Sequence, residues 1–226
     1  MNRRTAAALA ALTLLPLAAC SVGLGTEEVN YSIDQPVTAL VVDARAASVA
    51  IVVGEGPVTV TEQHHRSRGR STTAHQVEGQ TLRLTESGCG DNELRSCVGY
   101  QIRMPQAVSA EISAQAGAVE VNGLSGNLRI TTEAGSVAGR SLSSAEVTVE
   151  THAGALTLEF AAPPTLVQAT TSLGAVDLRL PGSTAYDVEA SSQLGERTVT
   201  VDQDPASAHR IKVRTEVGAV KVAPLP

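Results

Sequence analysis

Val147-Thr148-Val149-Glu150-Thr151-His152-Ala153-Gly154-Ala155-Leu156-Thr157-Leu158 is the stretch that decides the fold of this chain. Val147, Val149 and Thr151 fall on alternate positions before Gly154, and Leu156 and Leu158 alternate after it, displaced by one residue. Period-two alternation marks a strand with one buried face, and the slip at glycine marks a turn between two such strands. The unit recurs six times between residues 110 and 222, anchored by Gly117, Gly135, Gly154, Gly174, Gly195 and Gly218 at spacings of 18, 19, 20, 21 and 23 residues. Seven before each glycine stand Ala110, Leu128, Val147, Val167, Val188 and Ile211; five before stand Ile112, Ile130, Val149, Ala169, Ala190 and Val213. The residue just before it is also apolar: Ala116, Ala134, Ala153, Leu173, Leu194 or Val217.

A fixed period near 20 predicts one strand–turn–strand coil per repeat, each stacked on the next. The expected fold is all-β: a β-solenoid, specifically a right-handed parallel β-helix of coils about 20 residues long. A twisted antiparallel β-sandwich is the alternative, because strands every ~10 residues fit one as well. The near-constant glycine register favours the solenoid, since glycine at each corner permits positive φ or close approach between coils. Parity turns Ala114, Thr132, Thr151, Thr171, Ser192 and Thr215 inward, three before each glycine. Their hydroxyls are expected to bond to one another or to the turn backbone rather than form an outward ligand-binding ladder.

Working outward, the repeat domain is expected over 37–222, with regular coils in 106–222 and a divergent first half in 37–105. Leu40, Val42, Ala44 and Ala46, then Val49, Ile51 and Val53, copy the pattern with Ala47 in the place of glycine. Val58–Glu62, Gln80–Glu86 and Val98–Met104 read as strands, the last ended by Pro105. His64–Thr73 reads as a loop or exposed edge, 20–36 as a tether ending at Pro36, and 223–226 as a short tail.

Residues 1–19 read as a lipoprotein signal peptide. Arg3 and Arg4 precede a short apolar run, Thr5–Leu17, and Leu17-Ala18-Ala19-Cys20 resembles the lipoprotein signal-peptidase site. Cys20 is then the lipidated first residue of the mature chain, with the membrane as a partner through its anchor. Of the remaining cysteines, Cys89 and Cys97 bracket seven residues, and in an exported protein such a pair is expected to form a structural disulfide worth on the order of 2–3 kcal/mol. The net charge of −6 argues against nucleic acid as a partner. Aromatic residues make up 2% of the chain, too few for the usual stacking carbohydrate site.

Ile102-Arg103-Met104-Pro105, Ser113-Ala114-Gln115-Ala116-Gly117-Ala118-Val119-Glu120-Val121 and Thr131-Thr132-Glu133-Ala134-Gly135-Ser136-Val137 resemble a bacterial envelope family of β-strand repeats, the toast-rack or adhesin-type domains of unknown function. The resemblance covers roughly 37–222. It implies a solenoid-like domain on the envelope, no established enzyme activity and no catalytic residues; some members accompany envelope-stress and membrane-sensing systems. Ala47, and Arg197 at an inward position, depart from its pattern.

No catalytic site, metal site or cofactor is expected. The best outward constellation, Glu133, Glu150 and His152, reads as a solvated face rather than the acid–base pair of a β-helix carbohydrate enzyme. Asp91 and Glu93 offer too few ligands for calcium. His64, His65 and His75 match no standard metal spacing, and Arg66, Arg68 and Arg70 would repel a cation. His64, His65, Arg66, Arg68 and Arg70 instead form a candidate contact patch for anionic lipid, wall polymer or an envelope protein. The functional expectation is a membrane-anchored, non-catalytic scaffold; the alternatives are an envelope-stress or regulatory binding module and, third, a carbohydrate-active enzyme.

Overall fold

The computed structural model describes residues 26–65, 71–87 and 97–225. All of its regular structure is strand: β1 (Thr26–Ile33), β2 (Ala39–Val53), β3 (Val58–His65), β4 (Thr72–Glu78), β5 (Thr81–Ser87), β6 (Val98–Met104), β7 (Ser109–Ala116), β8 (Val119–Asn122), β9 (Leu128–Ala134), β10 (Val137–Leu142), β11 (Glu146–Ala153), β12 (Leu156–Phe160), β13 (Leu166–Leu173), β14 (Val176–Leu180), β15 (Asp187–Leu194), β16 (Arg197–Val199), β17 (Arg210–Val217) and β18 (Val220–Pro224). The strands make a β-solenoid with a front and a back sheet. The front order is β4-β5-β2-β7-β9-β11-β13-β17-β15, and the back order is β1-β3-β6-β2-β8-β10-β12-β14-β18-β16. β2 belongs to both sheets: it pairs with β7 up to Ala46 and with β6 and β8 from Ala47 and Val49 onward.

Every pairing between successive coils is parallel, so the antiparallel sandwich is set aside. Among the described residues antiparallel pairs occur only at the end formed by the N-terminal strands, here the proximal end: β1–β3, β3–β6 and β4–β5. Between the sheets lies one continuous apolar core running from Ile33 to Val222, with Tyr100, Phe160 and Tyr186 among its largest wholly buried side chains.

The corner glycines are in vertical register for a steric reason. A Cβ on Gly135 would lie 1.9 Å from the Gly117 carbonyl oxygen, one on Gly154 1.9 Å from that of Gly135, and one on Gly174 2.0 Å from that of Gly154. The backbone of each coil occupies the place where the next would carry a side chain. The expected inward hydroxyls serve this ladder. Thr171 donates to the Gly154 carbonyl (3.2 Å), Thr215 to that of Gly174 (3.0 Å) and Ser192 to that of Gly218 (2.8 Å), whereas Thr132 and Thr151 are buried on the same row without such a bond.

Several expectations need correction. Coils do not stack strictly in chain order: β17–β18 lies between β13–β14 and the last coil, β15–β16. The 23-residue spacing from Gly195 to Gly218 is the trace of this, because residues 200–209 carry the chain back across one rung. Residues 26–33 form β1 rather than tether, held by pairing along all of β3. β3 and β4 take strand into the expected 64–73 loop, and β18 takes Ala223 and Pro224 from the tail. Finally, Leu173, Val217 and Leu194 are exposed at 50%, 44% and 69%. They sit where the chain rounds the corner, and strict strand alternation no longer holds there.

Candidate functional site

The most chemically unusual region is the proximal end. Inward parity along β3 puts Val58, Val60 and then Glu62 in the interior; along β5 it does the same for Leu82, Leu84 and Glu86. Each apolar row therefore ends in a buried glutamate, with Glu62 3% and Glu86 4% exposed. Burial of a carboxylate is tolerated only with hydrogen-bond donors around it.

Glu62 has those donors. Tyr31 Oη of β1 donates to its Oε1 (2.7 Å); Thr73 Oγ1 of β4 (2.6 Å) and His64 Nε2 (3.1 Å) meet its Oε2. The Tyr31 ring stacks on His75, centroids 4.1 Å apart, so β1 of the back sheet and β4 of the front sheet close over the end of the core. Glu86 does a different task. Its Oε2 accepts the backbone N–H groups of Arg45 (3.0 Å) and Ala46 (2.9 Å), where β2 bends from one sheet to the other. Burial, then the Glu62 hydrogen bond and charge, push the Tyr31 phenol well above its ordinary value. Burial, then Glu62 and Glu86, do the same to Tyr100. This arrangement locks strands together, and Glu62 offers no bare oxygen for acid–base work.

Of the residues singled out in the sequence, His64 and His65 are at the end of β3. His64 is turned toward Glu62 with its side chain 20% exposed, while His65 meets Thr26 Oγ1 at 3.3 Å. Arg66, Arg68, Arg70, Cys20, Cys89, Asp91 and Glu93 lie outside the described residues. Cys97 is buried against Ala46, donates its N–H to the Ala46 carbonyl (3.0 Å) and is disulfide-bonded, its partner also lying outside the described residues. Glu133, Glu150 and His152 lie exposed on the outer front sheet, on neighbouring rungs β9 and β11 and without a hydrogen bond to one another. Among the described residues no group of three or more His, Cys, Asp or Glu side chains is placed to hold a metal ion. The buried glutamates were the residues missed, although Val58-x-Val60-x-Glu62 and Leu82-x-Leu84-x-Glu86 carried the signal by parity.

Residues 49–223, three quarters of the chain, match the Toastrack DUF4097 family. The chain belongs to the Toastrack family. No curated protein is significantly similar to it in sequence. Among solved structures, a proposed cell adhesion protein from Clostridium sporogenes superposes with a TM-score of 0.57 at 13% identity, covering 88% of this chain and 100% of that one. A proposed adhesin from Bacteroides fragilis superposes with a TM-score of 0.51 at 12% identity, covering 88% and 97%. At such identities these likenesses speak for the Toastrack fold alone.

Proposed function

We propose that this Toastrack protein is a non-catalytic, adhesin-like scaffold of the bacterial envelope, anchored through lipidated Cys20 with its solenoid directed away from the membrane. One observation carries the reading: Thr26 pairs with His65 at the outermost proximal strand, only six residues beyond Cys20. A link of that length spans at most about 20 Å. It would hold the proximal end at the bilayer and bring the His64–Arg70 segment within reach of anionic headgroups. The neighbours' adhesin-type names and the solid core, which leaves only outer faces for contact, agree with a scaffold. A disulfide between Cys97 and Cys89 would fasten the 88–97 connection beside the same end.

The test is crosslinking of the native lipoprotein in cells, with mass spectrometry of co-purifying material and Cys20→Ala as the unanchored control. Membrane fractionation that loses the Cys20→Ala chain to the soluble fraction, with wall polymer or an external surface as the captured material, supports the scaffold. Reproducible capture of a membrane kinase or transporter that disappears in the control replaces it with the regulatory-module reading. Polysaccharide cleavage abolished by Glu150→Gln would instead establish an enzyme.

A further inference from the structure

The distal end presents the opposite problem to the proximal one. Among the described residues β15 pairs as a strand only with β17, and β16 only with β18, which leaves one edge of each sheet open. Open strand edges invite pairing with another chain. The end coil is also less well covered than the rest: Val188, Ala190 and Val199 pack on the core but are only partly buried.

Arg197 occupies this end in a telling position. It pairs with Val220, which continues a row through Val176, Leu156, Val137, Val119 and Val49, every one of them at most 1% exposed. The outermost member of a purely apolar row is thus an arginine. Its Nη1 crosses from the back sheet to the front one and donates to the Ala190 carbonyl of β15 at 3.4 Å. The direction of that carbonyl follows from the ladder. Asp187 N–H donates to His209 O across the β17 pairing (2.9 Å), so Asp187 and Glu189 face β17, and Tyr186, Val188 and Ala190 present their backbone groups to the open side. The first of these is already covered, because Tyr186 N–H donates to Asp202 O (2.9 Å) and its carbonyl accepts Asp204 N–H (3.0 Å). Arg197 covers the Ala190 carbonyl, two residues beyond Val188 on the same side.

We propose that Arg197 is an edge guard: by capping the Ala190 carbonyl and placing a charge across the open end, it prevents the distal coil from pairing with the distal coil of a second copy of this chain. A second copy is the partner that fits. A two-fold rotation about the normal to the sheets sets β15 antiparallel to β15 and β16 antiparallel to β16 together, so both edges are satisfied by one contact.

The experiment is sedimentation velocity over a concentration series on the full mature chain carrying Cys20→Ala. The parent is expected to be monomeric. Arg197→Val extends the apolar row, and Arg197→Thr removes the guanidinium without adding apolar surface. Both are expected to dimerise, with an association constant raised about tenfold or more, the equivalent of roughly 1.4 kcal/mol. Adding Ala190→Pro removes an outward N–H without touching the β17 ladder and is expected to restore the monomer. The proposal is overturned if Arg197→Val and Arg197→Thr stay monomeric, or if only Arg197→Val associates. Association that persists with Ala190→Pro also overturns it, since contact would then run through exposed side chains such as Leu194. A parent already dimerised through its distal coil does so too.

Discussion

A methyl group on Gly154 would stand 1.9 Å from the Gly135 carbonyl oxygen, and no side-chain rotation can relieve a clash with backbone. Gly154→Ala is therefore expected to destabilise by at least about 1–3 kcal/mol, as overpacking does, read from the urea midpoint. Gly56→Ala is the contrast: its φ is +92° but nothing lies within 4 Å, so the cost is backbone strain alone, about 1 kcal/mol. At the proximal end the phenols set an alkaline limit. The Tyr31 and Tyr100 pKa values are raised in the folded chain, so the folded state holds protons that the unfolded one releases above about pH 10. Their contribution is complete below that pH and is lost as pH rises beyond it. Tyr31→Phe should lower stability near neutrality by about 1–2 kcal/mol, through the lost Glu62 hydrogen bond, and should flatten the alkaline fall in Tm. A fall of unchanged steepness would show that the folded Tyr31 phenol releases its proton in the same window as the unfolded one.

At the scale of the elements, each coil is held by its neighbours, so protection should follow position in the stack rather than position in the chain. Hydrogen exchange is expected to be slow in β9 to β14, slow again in β17, and fastest in β15 and β16, although β17 comes later in the sequence. Exchange that quickens steadily toward the C-terminus would contradict the rung order. The strands themselves could be read from the sequence because period-two alternation and corner glycines are local consequences of the stacking. Their order could not: parity is the same whichever coil lies alongside, and only the 23-residue spacing hinted at the step back. β1 was legible as well, since Val29, Tyr31 and Ile33 alternate, but three polar residues ahead of them resemble a linker. Glu62 and Glu86 were hidden by the assumption that an inward row stays apolar, whereas their partners come from other strands: Thr73 from the next one, and Tyr31, Arg45 and Ala46 from strands 31 to 41 residues away.

Taken whole, the described residues form a short rod whose longer, back sheet has ten strands, about 43 Å along its axis at the usual strand spacing. Its two ends differ in chemistry: a buried carboxylate cluster closes one, and a single arginine crosses the other. If the anchor lies at the proximal end, a fluorophore at Asn30 should transfer energy to headgroup-bound acceptors more efficiently than one at Leu194, in lipidated protein reconstituted into vesicles. Equal transfer from both sites would mean that the rod lies flat on the bilayer.

The displaced rung also has a bearing on time. A ribosome or a translocon delivers this chain N-terminus first, and β7 to β14 can be added one after another as they emerge. β15 and β16 emerge next but have no place to dock, because the strands that hold them, β17 and β18, have not yet appeared. Winding must wait until residues 210–224 arrive and slide in beneath a coil made before them. The last rung to be synthesised thus acts as a keystone, and a chain interrupted before it ends with two unsupported strands that a quality-control protease could recognise.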